Sequence, residues 1–226
     1  MINTPRARRG MVTSPHHLAS EAGLRVLREG GDAIEATIAM AAALAVVYPH
    51  MTAIGGDGFW LVAQPGLAPL AIDACGGAAA AATPELYASH GLTAVPWRGP
   101  LAANTVAGTI SGWGEAFAVS REWGGRLPLS RLVEDAAWHG ENGFAVTRSQ
   151  QDLTAAKAPE LLASPGFMAT FMPSGTAPAE GSLMRFPALA KTLQRIATEG
   201  PDSFYRGALA RDIAADLTAV GSPVSA

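Results

Sequence analysis

Apolar residues recur at helical spacing through Leu18, Ala22, Val26 and Leu27, and Gly30-Gly31 closes the pattern. Asp32 and Glu35 form a capping-box signature, so a second helix is expected to follow and to stop at Pro49. Beyond Glu35 the stretch "AIEATIAMAAALAVVY" is apolar on nearly every face. A helix with no polar side has to be enclosed, which predicts a central core helix. The glycine-rich turn "AIGGDGFW" leads into "FWLVAQPGLAPLAIDA", two short β-type runs split by Pro65 and Gly66, as in a hairpin. Helical patterning returns from Ala107. Leu129, Leu132, Val133, Ala136 and Ala137 stripe a helix that ends at Gly140, and Thr147 with Gln150 caps the next one. Residues 164–182 read as loop. Pro187 opens a helix with Leu189, Leu193, Ile196 and Ala197 on one face and Gly200 as its stop. Asp202 is expected to cap a last segment carrying Leu209, Ile213 and Leu217.

This much helix needs more sheet to cover than one hairpin supplies, because an isolated hairpin is at best marginally stable. The missing strands belong either to another chain or to a larger fold. The 226 residues, 49% of them hydrophobic, suffice for one substantial core, so a single domain over 1–226 is expected. Sixteen basic against 19 acidic side chains give a net charge of -3, and Arg6, Arg8 and Arg9 are a solvated tail, so nucleic acid is not an expected partner. The longest nearly uncharged apolar stretch, Ala36 to Tyr48, falls short of the roughly 20 residues a bilayer needs, and the first ten residues have no apolar signal core. Neither a membrane nor secretion is expected. A lone cysteine makes no internal disulfide, which points to the cytoplasm.

The chemistry-bearing residues are sparse. His16, His17, His50, His90 and His139 show no metal-binding spacing, and one cysteine makes no zinc cluster, so neither a metal nor another cofactor is expected. His16-His17 reads as a loop pair. Cys75 reads as a small, half-buried hydrophobe at a strand end, with a thiol nucleophile beside a flexible Gly-Gly turn as the sharper alternative. Asp57 and Asp73 are either paired carboxylates or, more simply, caps on backbone amides. Gly55, Gly56 and Gly58 precede a strand with no phosphate-binding lysine after them, so they read as close-packing positions and not as a phosphate cradle. The five scattered tryptophans read as packing residues.

Several stretches in order resemble one family. "GMVTSPHHLASEAGLRVLREGGDAIEATIAMAAALAVVYPHMTAIGGDGFWLV" is similar to the opening of the gamma-glutamyltranspeptidases, with its Gly-Met-Val start, its proline-histidine and its Ile-Gly-Gly-x-Gly-Phe strand start. "RGPLAANTVAGTISGWGEA", "GENGFAVTRS" and "FPALAKTLQRIATEGPDSFYRGALARDIA" resemble its later segments in the same order. The resemblance implies an α+β fold, the four-layer αββα sandwich of the N-terminal-nucleophile hydrolases, with this chain as the helix-rich N-terminal portion. It further implies a precursor that cuts itself into a large and a small subunit. The new N-terminal threonine of the small subunit attacks an amide, its own α-amino group acting as base.

The sequence runs only to "AVGSPVSA", short of a family large subunit, and has no Thr-Thr-His type segment. No catalytic residue is therefore expected within it, and its expected partners are the C-terminal small subunit and a small-molecule amide. The stretch "PLAIDACGGAAAAATPELY" lines up with the family's substrate-binding strand, whose Asp-x-Arg-Glu-x-Ala-Pro pattern grips the α-carboxylate of the glutamyl group. Asp73 keeps its place, but Cys75 stands at the arginine position and Gly76 at the glutamate position. These make Cys75 and Asp73 the expected substrate-binding residues. A charge-assisted bond is worth roughly 1.5 to 3 kcal/mol, which a thiol does not replace. The expectation is a self-processing amidohydrolase or acyltransferase with no assured γ-glutamyl specificity and a roomier, less polar pocket wall. An acylase-type hydrolase for another amide and a non-catalytic scaffold are the alternatives.

Overall fold

The computed structural model describes residue 4 and residues 6–225. Residues 1–3, Pro5 and Ala226, on which the readings of leader and terminus partly fall, lie outside the described residues. Helix α1 (His17–Arg28) starts where the extended backbone of His16 lets Nδ1 accept from the Leu18 amide at 3.2 Å. His16 is thus a buried cap and not half of a loop pair: it is 3% exposed, with its ring stacked on His17 at 4.7 Å. Helix α2 (Ala33–Val47) has the full capping box, the Glu35 amide donating to Asp32 Oδ1 at 2.8 Å and the Asp32 amide to Glu35 Oε2 at 3.0 Å. Glu35 is completely buried, and its other oxygen accepts from the Leu127 amide at 2.8 Å. A carboxylate is tolerated in the interior only when its acceptor sites are filled in this way.

Strands β1 (Gly58–Val62) and β2 (Leu70–Ala74) form the expected antiparallel hairpin, with Gly58 opposite Ala74 and Val62 opposite Leu70. Side chains alternate across it: Phe59 and Leu61 stand on one exposed face, whereas Val62 and Ala74 are buried on the other. A short helix α3 (Pro84–Ser89) follows, with Thr83 as its cap and Pro84 in its first turn. Helix α4 (Thr109–Glu122) carries the buried Trp113.

The stripe from Leu129 onward is two helices, α5 (Leu129–Leu132) and α6 (Glu134–Asn142), joined at Val133. The second ends at Gly143, whose φ of 99° suits only glycine, and not at Gly140. Strand β3 (Phe144–Ala145) then precedes α7 (Arg148–Leu161), which Thr147 caps through the Gln150 amide at 3.2 Å as expected. Helix α8 (Phe167–Phe171) lies inside the segment read as loop, started by left-handed Gly166 and held by ring contact between its two phenylalanines. Strand β4 (Leu183–Met184) pairs with β3. Helix α9 (Pro187–Glu199) begins and ends where its proline and Gly200 predict. Asp202 does not cap α10 (Ala208–Ala219). It sits in a 3-10 turn at Pro201–Phe204 and pairs with Arg206, and Gly207 precedes the helix instead.

Helix α2 packs against α1, α4, α5 and α6, so it is the enclosed centre that its apolar faces required. Gly23 makes the α1 contact close: a Cβ there would lie 2.6 Å from Met40 Cγ. Among the described residues the sheets are the β1–β2 hairpin and the β3–β4 ribbon, and no helix is long and apolar enough to cross a membrane.

Candidate functional site

The end of β2 is held by two carboxylates. Asp73 Oδ1 accepts from the Cys75 amide at 3.0 Å, and Asp57 Oδ1 accepts from the Gly76 amide at 3.1 Å. Both aspartates therefore cap backbone amides, the simpler of the two sequence readings. Cys75 is exposed, which corrects its reading as a half-buried hydrophobe: β2 ends at Ala74, and the chain turns outward where Asp73 folds back on it. Hydrogen bonding to Asp73, with the negative charges of Asp73 and Asp57 nearby, pushes the thiol above its ordinary value. The same bonds, side chain first and amide second, hold the Asp73 carboxyl below the usual carboxylate range. A thiol kept protonated by adjacent carboxylates is a poor nucleophile. The geometry gives Cys75 no activating base.

Behind this turn two backbones touch. A Cβ on Gly76 would lie 1.3 Å from the Val106 carbonyl oxygen, and one on Gly108 would lie 1.9 Å from the Ala74 carbonyl oxygen. These two glycines are the close-packing positions of the region. Gly55 and Gly56, expected to have that role, have open space around them, and a Cβ on Gly58 would make only ordinary contact at 3.5 Å. The segment 104–106 is tied on by the Val106 amide to Gly77 O at 2.9 Å and the Ala79 amide to Asn104 O at 2.9 Å. The Val106 backbone thus fills the space beside Gly76 where a side chain would stand.

Thr109, at the start of α4, fastens the loop bearing Asp57: its amide and its hydroxyl both donate to Gly56 O, at 2.9 and 2.8 Å. Tyr205 fastens the other side. Its hydroxyl donates to Ala107 O at 2.7 Å and accepts from the Ser111 amide at 2.8 Å. Burial pushes the Tyr205 hydroxyl up, so it stays protonated and able to donate. Sequence reasoning did not single out Tyr205 or Thr109; the stretch "SFYRG" within the last family-like segment was the available signal for the first. A cleft of about 540 Å³ opens beside these loops, with Thr37, His50, Asp57, Trp60 and Thr109 among its lining residues. Asp57 reaches it, whereas Asp73 and Cys75 stand outside its lining. Among the described residues no group of histidine, cysteine and carboxylate side chains is arranged to hold a metal ion.

The layout defines a class. Residues 19–226 match the family model described as gamma-glutamyltranspeptidase, and the chain belongs to that family. Its architecture is the helix-rich portion of the four-layer αββα sandwich of the N-terminal-nucleophile hydrolases. The oxamate amidohydrolase proenzyme of Klebsiella pneumoniae is 54% identical over 217 residues, 96% of this chain and 41% of that protein. A Bacillus subtilis relative, the glutathione hydrolase-like YwrD proenzyme, is 42% identical over 214 residues, 94% of this chain and 39% of that protein. The crystal structure of Helicobacter pylori gamma-glutamyltranspeptidase superposes with a TM-score of 0.89 at 32% identity, covering 99% of this chain and 64% of that one. The chain thus spans about two fifths of the length of the curated relatives it matches.

Proposed function

We propose that this chain is the large-subunit portion of a self-processing amidohydrolase that acts on a small amide lacking the γ-glutamyl group. A threonine on the small subunit would attack the amide carbonyl, its α-amino group taking the proton. The amine would leave, and water would release the acid from the acyl-enzyme. The observation that carries the reading is the strand end at Cys75 and Gly76. The arginine that would grip a glutamyl α-carboxylate is absent, and the Val106 carbonyl fills the space that a glutamate at 76 would need. Oxamate, the compound in the name of the relative at 54% identity, suits such a site on chemical grounds. Its carboxylate is bonded directly to the scissile carbonyl, whereas that of a γ-glutamyl amide lies several carbons away. A distant clamp at position 75 therefore has nothing to hold. Asp57 and Asp73 would act as positioning residues that fix the strand end.

The exposed face of the hairpin supports the partner half of the reading. Phe59 is 71% exposed and Leu61 79% exposed, and the hairpin's outer edges have no further strand among the described residues. Such a face calls for a cover, which strands from the small subunit would supply. The test is to express the whole gene product, look for two fragments on a denaturing gel, and compare ammonia release from oxamate with cleavage of γ-glutamyl-p-nitroanilide. Two fragments with oxamate turnover and little anilide cleavage are expected. An uncleaved chain, or preference for the γ-glutamyl compound, would overturn the proposal.

A further inference from the structure

A second cavity, of about 450 Å³, lies between α7, α8 and the turn that follows α2. Its walls are apolar, from Met51, Leu153, Leu161, Phe167 and Phe171, and the two phenylalanine rings stand 5.5 Å apart. One polar group in the lining is out of place. Gln150 is 1% exposed, its Nε2 reaches only the Met184 sulfur at 3.0 Å, and its Oε1 has no partner among the described residues. A thioether is a weak acceptor, so turning the amide over merely exchanges which atom is unmatched. Buried polar atoms in native folds are nearly always satisfied, and an exception on a residue that lines a cavity marks a place for an occupant to supply the missing partner. His50 lines the same cavity with its Nδ1 buried and without a partner among the described residues.

The rim carries the complementary charge. Arg98 and Lys157 both reach a single carboxylate, Glu160, at 3.5 and 2.7 Å, which leaves one positive charge over. We propose that this cavity binds a small amphiphilic monocarboxylate: an aromatic or branched body among the phenylalanines and leucines, an O–H or N–H donating to Gln150 Oε1, and the carboxylate at Arg98 and Lys157. The size fits, since ligand pockets run from about 300 to 1,000 Å³. The cavity does not include the end of β2, since neither Asp57 nor Asp73, Cys75 or Gly76 lines it, and it shares Pro49, His50 and Met51 with the cleft beside the Asp57 loop.

Calorimetric titration of the processed full-length protein tests this, with 4-hydroxyphenylacetate as probe and uncharged 4-hydroxyphenylacetamide as control. The acid is expected to bind saturably and at least about 5-fold more tightly than the amide, as a charge-assisted contact requires. Gln150→Met keeps the length and removes the polar head; it is expected to weaken the probe about 5- to 10-fold with an unchanged or raised melting temperature. Lys157→Gln is expected to bring acid and amide level. Leu153→Trp, at a partly exposed position, fills the cavity without touching its buried base and is expected to abolish binding. Absence of saturable binding, equal affinity for acid and amide, or binding that survives Leu153→Trp would each overturn the proposal.

Discussion

His16 offers a direct test of how burial acts in this fold. Its Nδ1 accepts from the Leu18 amide, so the proton of the neutral ring sits on Nε2, which is buried and has no partner among the described residues. Burial, reinforced by the neighbouring His17, His139 and His50, lowers its pKa from 6.5 to about 4. At 1.36 kcal/mol per unit that difference is about 3 kcal/mol. Because the folded value lies below the unfolded one, the unfolded chain binds the proton first. This contribution is complete above about pH 6.5 and is lost as pH falls toward 4, where the folded form also takes up the proton. His50 and His139 are lowered by burial as well and add to the slope, and Asp135, Arg25 and Glu21 act on His139, so total acid sensitivity does not isolate His16. The comparison with His16→Asn does, since asparagine keeps an acceptor for the Leu18 amide but does not titrate. Urea unfolding from pH 4 to 7.5 is expected to show the variant losing about 3 kcal/mol less than the parent across that window. A histidine Cε1–H resonance assigned to His16 and titrating near 6.5, or parallel stability curves for the two proteins, would refute the reasoning.

Two further outcomes follow from the site. Gly76→Ala places a methyl group on the Val106 carbonyl and is expected to cost about 2 kcal/mol or more, read as a fall in melting temperature, whereas Gly77→Ala next to it meets open space and is expected to be close to neutral. Cys75→Arg in the complete protein is expected to raise the use of γ-glutamyl-p-nitroanilide relative to oxamate roughly tenfold, the return of about one charge-assisted bond; unchanged selectivity in steady-state kinetics would count against the proposed pocket.

The parts of the fold that were legible are those where one signal decides. The Asp32–Glu35 box, the all-apolar α2 and the proline start of α9 each leave one physical solution, and the structure has it. Three kinds of element were not legible. Strands β3 and β4 are two residues each, too short to carry a period. Helix α8 is one turn held by a Phe167–Phe171 contact inside a glycine- and proline-rich run, so its surroundings masked it. His16 was misread because a histidine acceptor at a helix start is rarer than serine or aspartate there, and nothing local shows that the ring will be buried. Gly76 was legible as an absence of charge. That the Val106 backbone occupies the space depends on a contact thirty positions along the chain, which no local pattern reports.

That contact changes what the missing arginine means. Had the charge simply been deleted from an otherwise unchanged strand, the space beside position 76 would stand open. Instead Asp73 takes the Cys75 amide and Asp57 the Gly76 amide, and the glycine lets the Val106 carbonyl close in behind them. A guanidinium introduced at 75 meets two exposed carboxylates whose Oδ1 atoms already accept backbone amides. A glutamate introduced at 76 must expel the 104–106 segment and break its bonds to Gly77 and Ala79. On the proposed reading γ-glutamyl recognition is therefore not one substitution away: Cys75→Arg is expected to return at most the single bond, and the pair of substitutions together to lose stability without gaining the second.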